Sequence, residues 1–265
     1  MRAASMIKTL WALLVVGLLG GCVAGGGTAA NEPRTDSDQT AADRRAGTRM
    51  ELASGYFARG QFNTALDEIK QALAIKPDMR EAINLRGLIY AAMGEPQLAD
   101  DSFKRALTLF PRDPDTLHNY GWLLCQQQRW QAAEVQFELA LAQTNYRAPS
   151  RTLLAKGVCE ARAGRMVEAE RSLSRAFEFD PSSAPVAVNL AEVLYRNKQL
   201  DRARFYIRRV NAQEDQVNAQ SLWLGLRIER RLGNSIAVDD LAQQLRRRHA
   251  QAPETQALDA GRFDE

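Results

Sequence analysis

The strings LASGYFARGQFNTALDEIKQALAIKP (residues 52–77) and RGLIYAAMGEPQLADDSFKRALTLFP (residues 86–111) align without a gap at an offset of 34. Ala53 falls on Gly87, Tyr56 on Tyr90, Gly60 on Gly94, Ala65 on Ala99, Ala72 on Ala106 and Pro77 on Pro111. A repeat of this period confines a chain to stacked supersecondary units, because each unit can bury its apolar faces only against its neighbours. Within each period the apolar residues recur at helical spacing, and Gly or Pro divides them into two stretches. Gly60 and Gly94 suit a turn between two helices, where a positive φ is required. Pro77, Pro111 and Pro181 close the second helix, since proline cannot continue it.

Four further units continue the pattern. The third has Gly121, Trp130, Ala133, Phe137 and Ala140, with Gln128 in place of the turn glycine and a longer exit through TNYRAP. The fourth has Gly157, Gly164, Ala169, Leu173, Ala176 and Pro181, and the fifth has Ala191, Ala203, Ile207 and Val210, with Lys198 in its turn. The sixth has Gly225, Ala237 and Leu241, while its turn glycine, Gly233, is displaced by one place. Period and anchors resemble the tetratricopeptide repeat, which implies an all-α superhelix of about six helix-turn-helix units over residues 46–253, followed by a C-terminal tail at 254–265.

The N-terminal residues carry a different signal. Arg2 and Lys8 precede an uncharged stretch, residues 9–21, which is too short to span a bilayer, a task for about 20 residues. A basic start, a short apolar run and small residues read as a secretory signal over 1–21. The sequence LGGC at 19–22 resembles a bacterial lipobox, which implies cleavage before Cys22 and diacylation of that cysteine. Val23, where an Asp would favour inner-membrane retention, directs the expectation to the outer membrane, with the protein facing the periplasm. Two or more acyl chains anchor stably. Residues 22–45, nearly devoid of large apolar side chains, read as a flexible tether.

Charge and motifs exclude several functions. The chain carries 35 Lys plus Arg against 32 Asp plus Glu, and Arg2 and Lys8 leave with the signal, so nothing favours a nucleic-acid partner. The two histidines, His118 and His249, belong to no metal-ligand spacing, and neither a Walker loop nor a nucleophile elbow occurs. Asp100-Asp101 and Asp239-Asp240, on second helices, read as solvated faces. The expectation is a protein-binding scaffold and not an enzyme, with no cofactor, metal or small-molecule substrate. Cys125 and Cys159 occupy the first helices of consecutive units; in an exported protein such a pair is a disulfide candidate. Two free buried thiols, or a reactive pair, are the alternatives.

In this architecture the first helices line the concave face. The positions that face it include Asn84, Leu88 and Ala91 in the second unit, His118, Trp122 and Gln126 in the third, and Leu154, Val158 and Arg162 in the fourth. Asn119, one position along, is a further candidate as a cap or clamp. Asn84 and Gln126 suit hydrogen bonding to a peptide backbone, while Leu88 and Trp122 either form an apolar pocket or pack between helices. Arg162 and Arg196 are too few for a carboxylate clamp, so segments with apolar anchors are the expected ligands.

The sequences HNYGWLLC (118–125), YRAP (146–149), GVC (157–159) and LWLGLRIERRLG (222–233) together resemble the type IV pilus biogenesis lipoproteins called PilF or PilW. That resemblance implies a pilotin, which binds secretin subunits in the periplasm and promotes their assembly in the outer membrane. His118, Thr144 and Ala155 depart from the family pattern. An adaptor for a periplasmic protease or cell-wall enzyme would use the same scaffold and anchor.

Overall fold

The structure, a computed structural model, describes residues 40–263. The expected signal, Cys22 and most of the tether lie outside the described residues. Those described form thirteen α-helices and no strand: α1 (Ala41–Ala58), α2 (Phe62–Ile75), α3 (Arg80–Ala92), α4 (Pro96–Leu109), α5 (Pro114–Gln126), α6 (Trp130–Leu141), α7 (Pro149–Arg162), α8 (Met166–Phe179), α9 (Ala184–Arg196), α10 (Leu200–Asn211), α11 (Ala219–Arg231), α12 (Ser235–Arg248) and α13 (Pro253–Asp259). None of them is long and apolar enough to cross a membrane.

Each expected unit is one helical hairpin, from α1–α2 through α11–α12. Every second helix also packs on the first helix of the next unit, from α2 on α3 to α10 on α11. First helices additionally touch one another in the series α3, α5, α7, α9 and α11, whereas no two second helices among those described do so. The first helices therefore form the inner curve.

Two boundaries differ from the sequence reading. Helix α1 starts at Ala41 and not at residue 46, because Asp43, in its first turn, pairs with Lys76 at 2.8 Å and Ala46 is fully buried. Residues 254–265 were expected as a tail, but α13 packs on both α11 and α12, with Thr255 and Leu258 buried. It covers the apolar end that the last unit would otherwise expose, and Pro253 at its first turn starts it.

The inner faces of the hairpins follow a size rule. At the crossing of the two helices, residue i on the first meets residue i+16 on the second, and the six pairs are Ala53/Ile69, Gly87/Phe103, Gly121/Phe137, Gly157/Leu173, Ala191/Ile207 and Gly225/Leu241. Alanine faces the β-branched isoleucine; glycine faces a ring or a leucine. A Cβ placed on Gly87 would lie 2.6 Å from Cε1 of Phe103, and one on Gly157 would lie 2.6 Å from Cγ of Leu173. The pairs sum to similar volumes, as close packing demands.

The turns obey a backbone rule instead. Gly60, Gly94, Gly164 and Gly233 take φ between 72° and 79°. Gln128 and Lys198 adopt the same left-handed conformation, at 60° and 61°, because the hairpin geometry leaves no other.

Candidate functional site

The concave face is built by α3, α5, α7, α9 and α11, and at its far end by α13. Across α3, α5 and α7 runs a polar seam. Asn119 Nδ2 donates to Asn84 Oδ1 at 3.1 Å, Arg151 Nη2 donates to Asn119 Oδ1 at 2.8 Å, and Arg151 Nε donates to His118 Nε2 at 3.0 Å. The other ring nitrogen, Nδ1, then carries the proton and donates to Thr152 Oγ1 at 2.8 Å, which Tyr146 OH meets at 2.5 Å.

His118 was expected to face the groove, but it is only 7% exposed and both its ring nitrogens are engaged. It is a joint between units three and four. Burial, helped by the Arg151 charge, pushes its imidazole down to about 3, so it is neutral at ordinary pH. Asn119 is likewise buried and bonded to two neighbours.

Asp100 also departs from expectation. Instead of a solvated face it occupies a buried site, accepting from Tyr120 OH at 2.9 Å and pairing with Lys104 at 2.6 Å and Arg129 at 3.3 Å. Burial opposes its charge, yet the hydrogen bonds from Lys104 and Tyr120 and the charges of Lys104 and Arg129 outweigh it and hold the carboxyl below the usual range. Burial and the same carboxylate push Tyr120 up to about 12. This cluster ties α4 to α5. Asp101, Asp239 and Asp240 are exposed.

Cys125 on α5 and Cys159 on α7 are joined by a disulfide, with Cα atoms 5.8 Å apart. Both are buried. The bond lies in the same core cluster as Tyr120, Leu124 and Phe137, against which Leu88, Ala91 and Trp122 also pack. Among the described residues no group of three or more His, Cys, Asp or Glu is placed to hold a metal ion.

The remaining candidates separate into two clefts and a side pocket. Asn84, Leu88 and Asn119 line a cleft of about 310 Å³ with Met50, Arg80 and Arg151. Val158 and Arg162 line a larger one, about 570 Å³, shared with α9, α11 and α13. Leu154 turns away toward the loop before α7, in a pocket with Phe179 and Pro185. Gln126 is exposed at the end of α5, and Trp122 is half-buried beneath the Arg162 guanidinium, 5.2 Å from the ring centroid.

The larger cleft overturns the expected shortage of cations. Arg162 and Arg196 are joined there by Arg227 and Arg262, against the carboxylates of Glu192 and Glu254. Arg162, Arg196 and Arg230 each stand five residues past the crossing residues Gly157, Ala191 and Gly225, on α7, α9 and α11 respectively. Counting arginines at that one repeat position points to the column, of which Arg162 and Arg196 line the cleft. Arg262, in the presumed tail, carried no such signal.

Sequence profiles of the tetratricopeptide repeat match residues 50–114 and 84–150, and again 160–224, well over half of the chain. The chain belongs to the tetratricopeptide-repeat family. It is 28% identical over 248 residues to the type IV pilus assembly protein PilF of Pseudomonas aeruginosa, covering 94% of this chain and 96% of that one. The solved structure of that PilF superposes with a TM-score of 0.74 at 26% identity, covering 84% of this chain and 100% of the other. PilW, described as a widely conserved type IV pilus biogenesis factor, superposes at 0.75 with 29% identity over 80% and 97% of the two chains. The resemblance carried by residues 118–125, 146–149, 157–159 and 222–233 thus extends along nearly the whole chain and to the fold.

Proposed function

We propose that this tetratricopeptide-repeat protein serves type IV pilus biogenesis as a lipid-tethered scaffold that binds secretin subunits and favours their assembly in the outer membrane. The observation that carries this reading is the end-to-end likeness to PilF, which covers 94% of this chain and 96% of that relative. The lipobox-like LGGC at 19–22 supports the anchor, and the two concave clefts supply surface for a protein ligand. Tethering raises the local concentration of a bound subunit at the membrane, so assembly gains without any new contact between subunits.

The test compares secretin oligomers in outer-membrane fractions from wild-type cells, a deletion strain and a Cys22→Ser strain that still exports the protein. Loss of oligomers in the deletion, with loss or misplacement in the serine strain, is the expected result. Equal, correctly placed oligomers in all three would refute it and turn the search to an adaptor for a periplasmic protease or cell-wall enzyme.

A further inference from the structure

We infer that the cleft between α7, α9, α11 and α13 is the docking site for an extended partner segment that carries acidic side chains around a large apolar residue. The inference deepens the function proposed above, since it names the chemistry of the segment that this scaffold takes. Two independent observations support it.

The first is charge with preorganisation. Four arginines, Arg162, Arg196, Arg227 and Arg262, line the cleft with two carboxylates, Glu192 and Glu254. Glu192 is shared, accepting from Arg196 Nε at 2.8 Å and lying 4.0 Å from Arg227. The guanidinium of Arg162 rests on the Trp122 ring and that of Arg227 on the Tyr195 ring, 5.2 and 4.8 Å from the centroids. Held flat on Trp122, the Arg162 guanidinium presents its N–H edge to a carboxylate with little further side-chain entropy to lose, whereas Arg227 is already engaged by Glu192 and the Phe263 carbonyl and fixes the far end of the cleft. Val158, Val188 and Leu224 floor the space between these cations. The surface therefore calls for carboxylates at its rim and an apolar side chain at its centre.

The second observation is that the chain already places a piece of itself at one end of the cleft. The Phe263 ring stacks on Trp223 at 5.6 Å between centroids, the Arg230 guanidinium lies 3.8 Å from its centroid, and Arg227 Nε donates to the Phe263 carbonyl at 3.0 Å. That contact is an aromatic anchor with a main-chain oxygen on an arginine, the elementary unit by which a groove holds an extended peptide. The cleft continues from there toward Arg162, leaving about 570 Å³ for more of the same.

The probe is a short fluorescein-labelled peptide with a central phenylalanine flanked by aspartates, its C-terminus amidated so that only side-chain carboxylates count. Companion peptides carry asparagine or lysine in place of aspartate. Anisotropy titrations use the folded mature protein, an Arg162→Gln/Arg196→Gln variant and an Arg162→Glu/Arg196→Glu variant, with circular dichroism confirming the fold of each. Both arginines are exposed, so each variant keeps the core intact.

The aspartate peptide should bind the parent protein, bind on the order of tenfold more weakly to the glutamine variant, and weaken steeply with salt. The glutamate variant should exchange the aspartate peptide for the lysine one. Equal affinity for the aspartate and asparagine peptides, no binding at low salt, or affinity indifferent to both variants overturns the inference. So does self-association of the parent without peptide that the variants abolish, which would assign the cleft to a second copy. An acidic peptide that fails while secretin assembly still needs the protein removes this inference alone; a peptide that binds while assembly is indifferent removes the proposed function alone.

Discussion

The pairing of residue i with residue i+16 can be tested by moving one unit's solution into another. Gly87→Ala places a methyl 2.6 to 2.8 Å from three carbons of the Phe103 ring, which is fully buried and cannot swing away. Opening that gap to an ordinary contact is an overpacking strain of about 1–3 kcal/mol, offset in part by the roughly 1 kcal/mol that alanine gains over glycine inside a helix. The net expectation is a loss of about 0–2 kcal/mol. Phe103→Ile alone leaves space beside a glycine and should also lose about 1–2 kcal/mol. The double variant recreates the Ala/Ile pair found in units one and five, so its stability should lie within about 1 kcal/mol of the parent, a coupling near 2 kcal/mol. Urea unfolding followed by far-ultraviolet circular dichroism measures all four proteins, with the slope checked for constancy because stacked repeats need not unfold in one step. If the two single losses simply add in the double variant, complementary volume is not what joins these helices.

Three other perturbations have defined outcomes. Gln128→Gly and Lys198→Gly remove the left-handed strain at φ of 60° and 61°, and each should stabilise by about 0.5–1 kcal/mol, read as a rise of a few degrees in Tm. Because the folded His118 sits at about 3 and an unfolded histidine near 6.5, its contribution is complete above the unfolded value and fades as pH falls through that window. About 2 kcal/mol should go between pH 6.5 and 5, and His118→Asn should flatten that part of the stability profile. Replacing Cys125 and Cys159 by serine opens a loop with sequence separation 34 and should lower stability by about 3–4 kcal/mol, whereas a reductant should have that effect on the parent but not on the serine variant.

The repeat made most of the fold legible, because its anchors are local: a small residue where helices cross, a turn residue, a proline at the exit. Gln128 and Lys198 were recognisable as occupants of a glycine position, though only the backbone shows that they keep the glycine's conformation. What the sequence hid depends on neighbouring units. His118 and Asn119 lie on the inner face by periodicity, yet Arg151 and Thr152 from the next unit close over them. Asp100 looked solvated until Tyr120 and Arg129, 20 and 29 residues away in the chain, converged on it. The cationic cleft is legible only in part, since Arg162 and Arg196 share one repeat position while α13 and Arg262 join it from residues that carry no repeat signal.

The Cys125–Cys159 bond gives the array a mechanical centre. When the protein is pulled by its two ends, the stretch between the cysteines is bypassed, so full extension falls short by roughly 110–120 Å, about 3.3–3.6 Å for each of the 34 intervening steps. Units one and two, and units five and six, can unravel under load as loose ends of the solenoid, each independently of the other. The bond between α5 and α7 then acts as a rivet that keeps units three and four in register for recoil. In single-molecule pulling, oxidised protein should show the shorter contour length and faster refolding, and a reductant should release the missing length in one event.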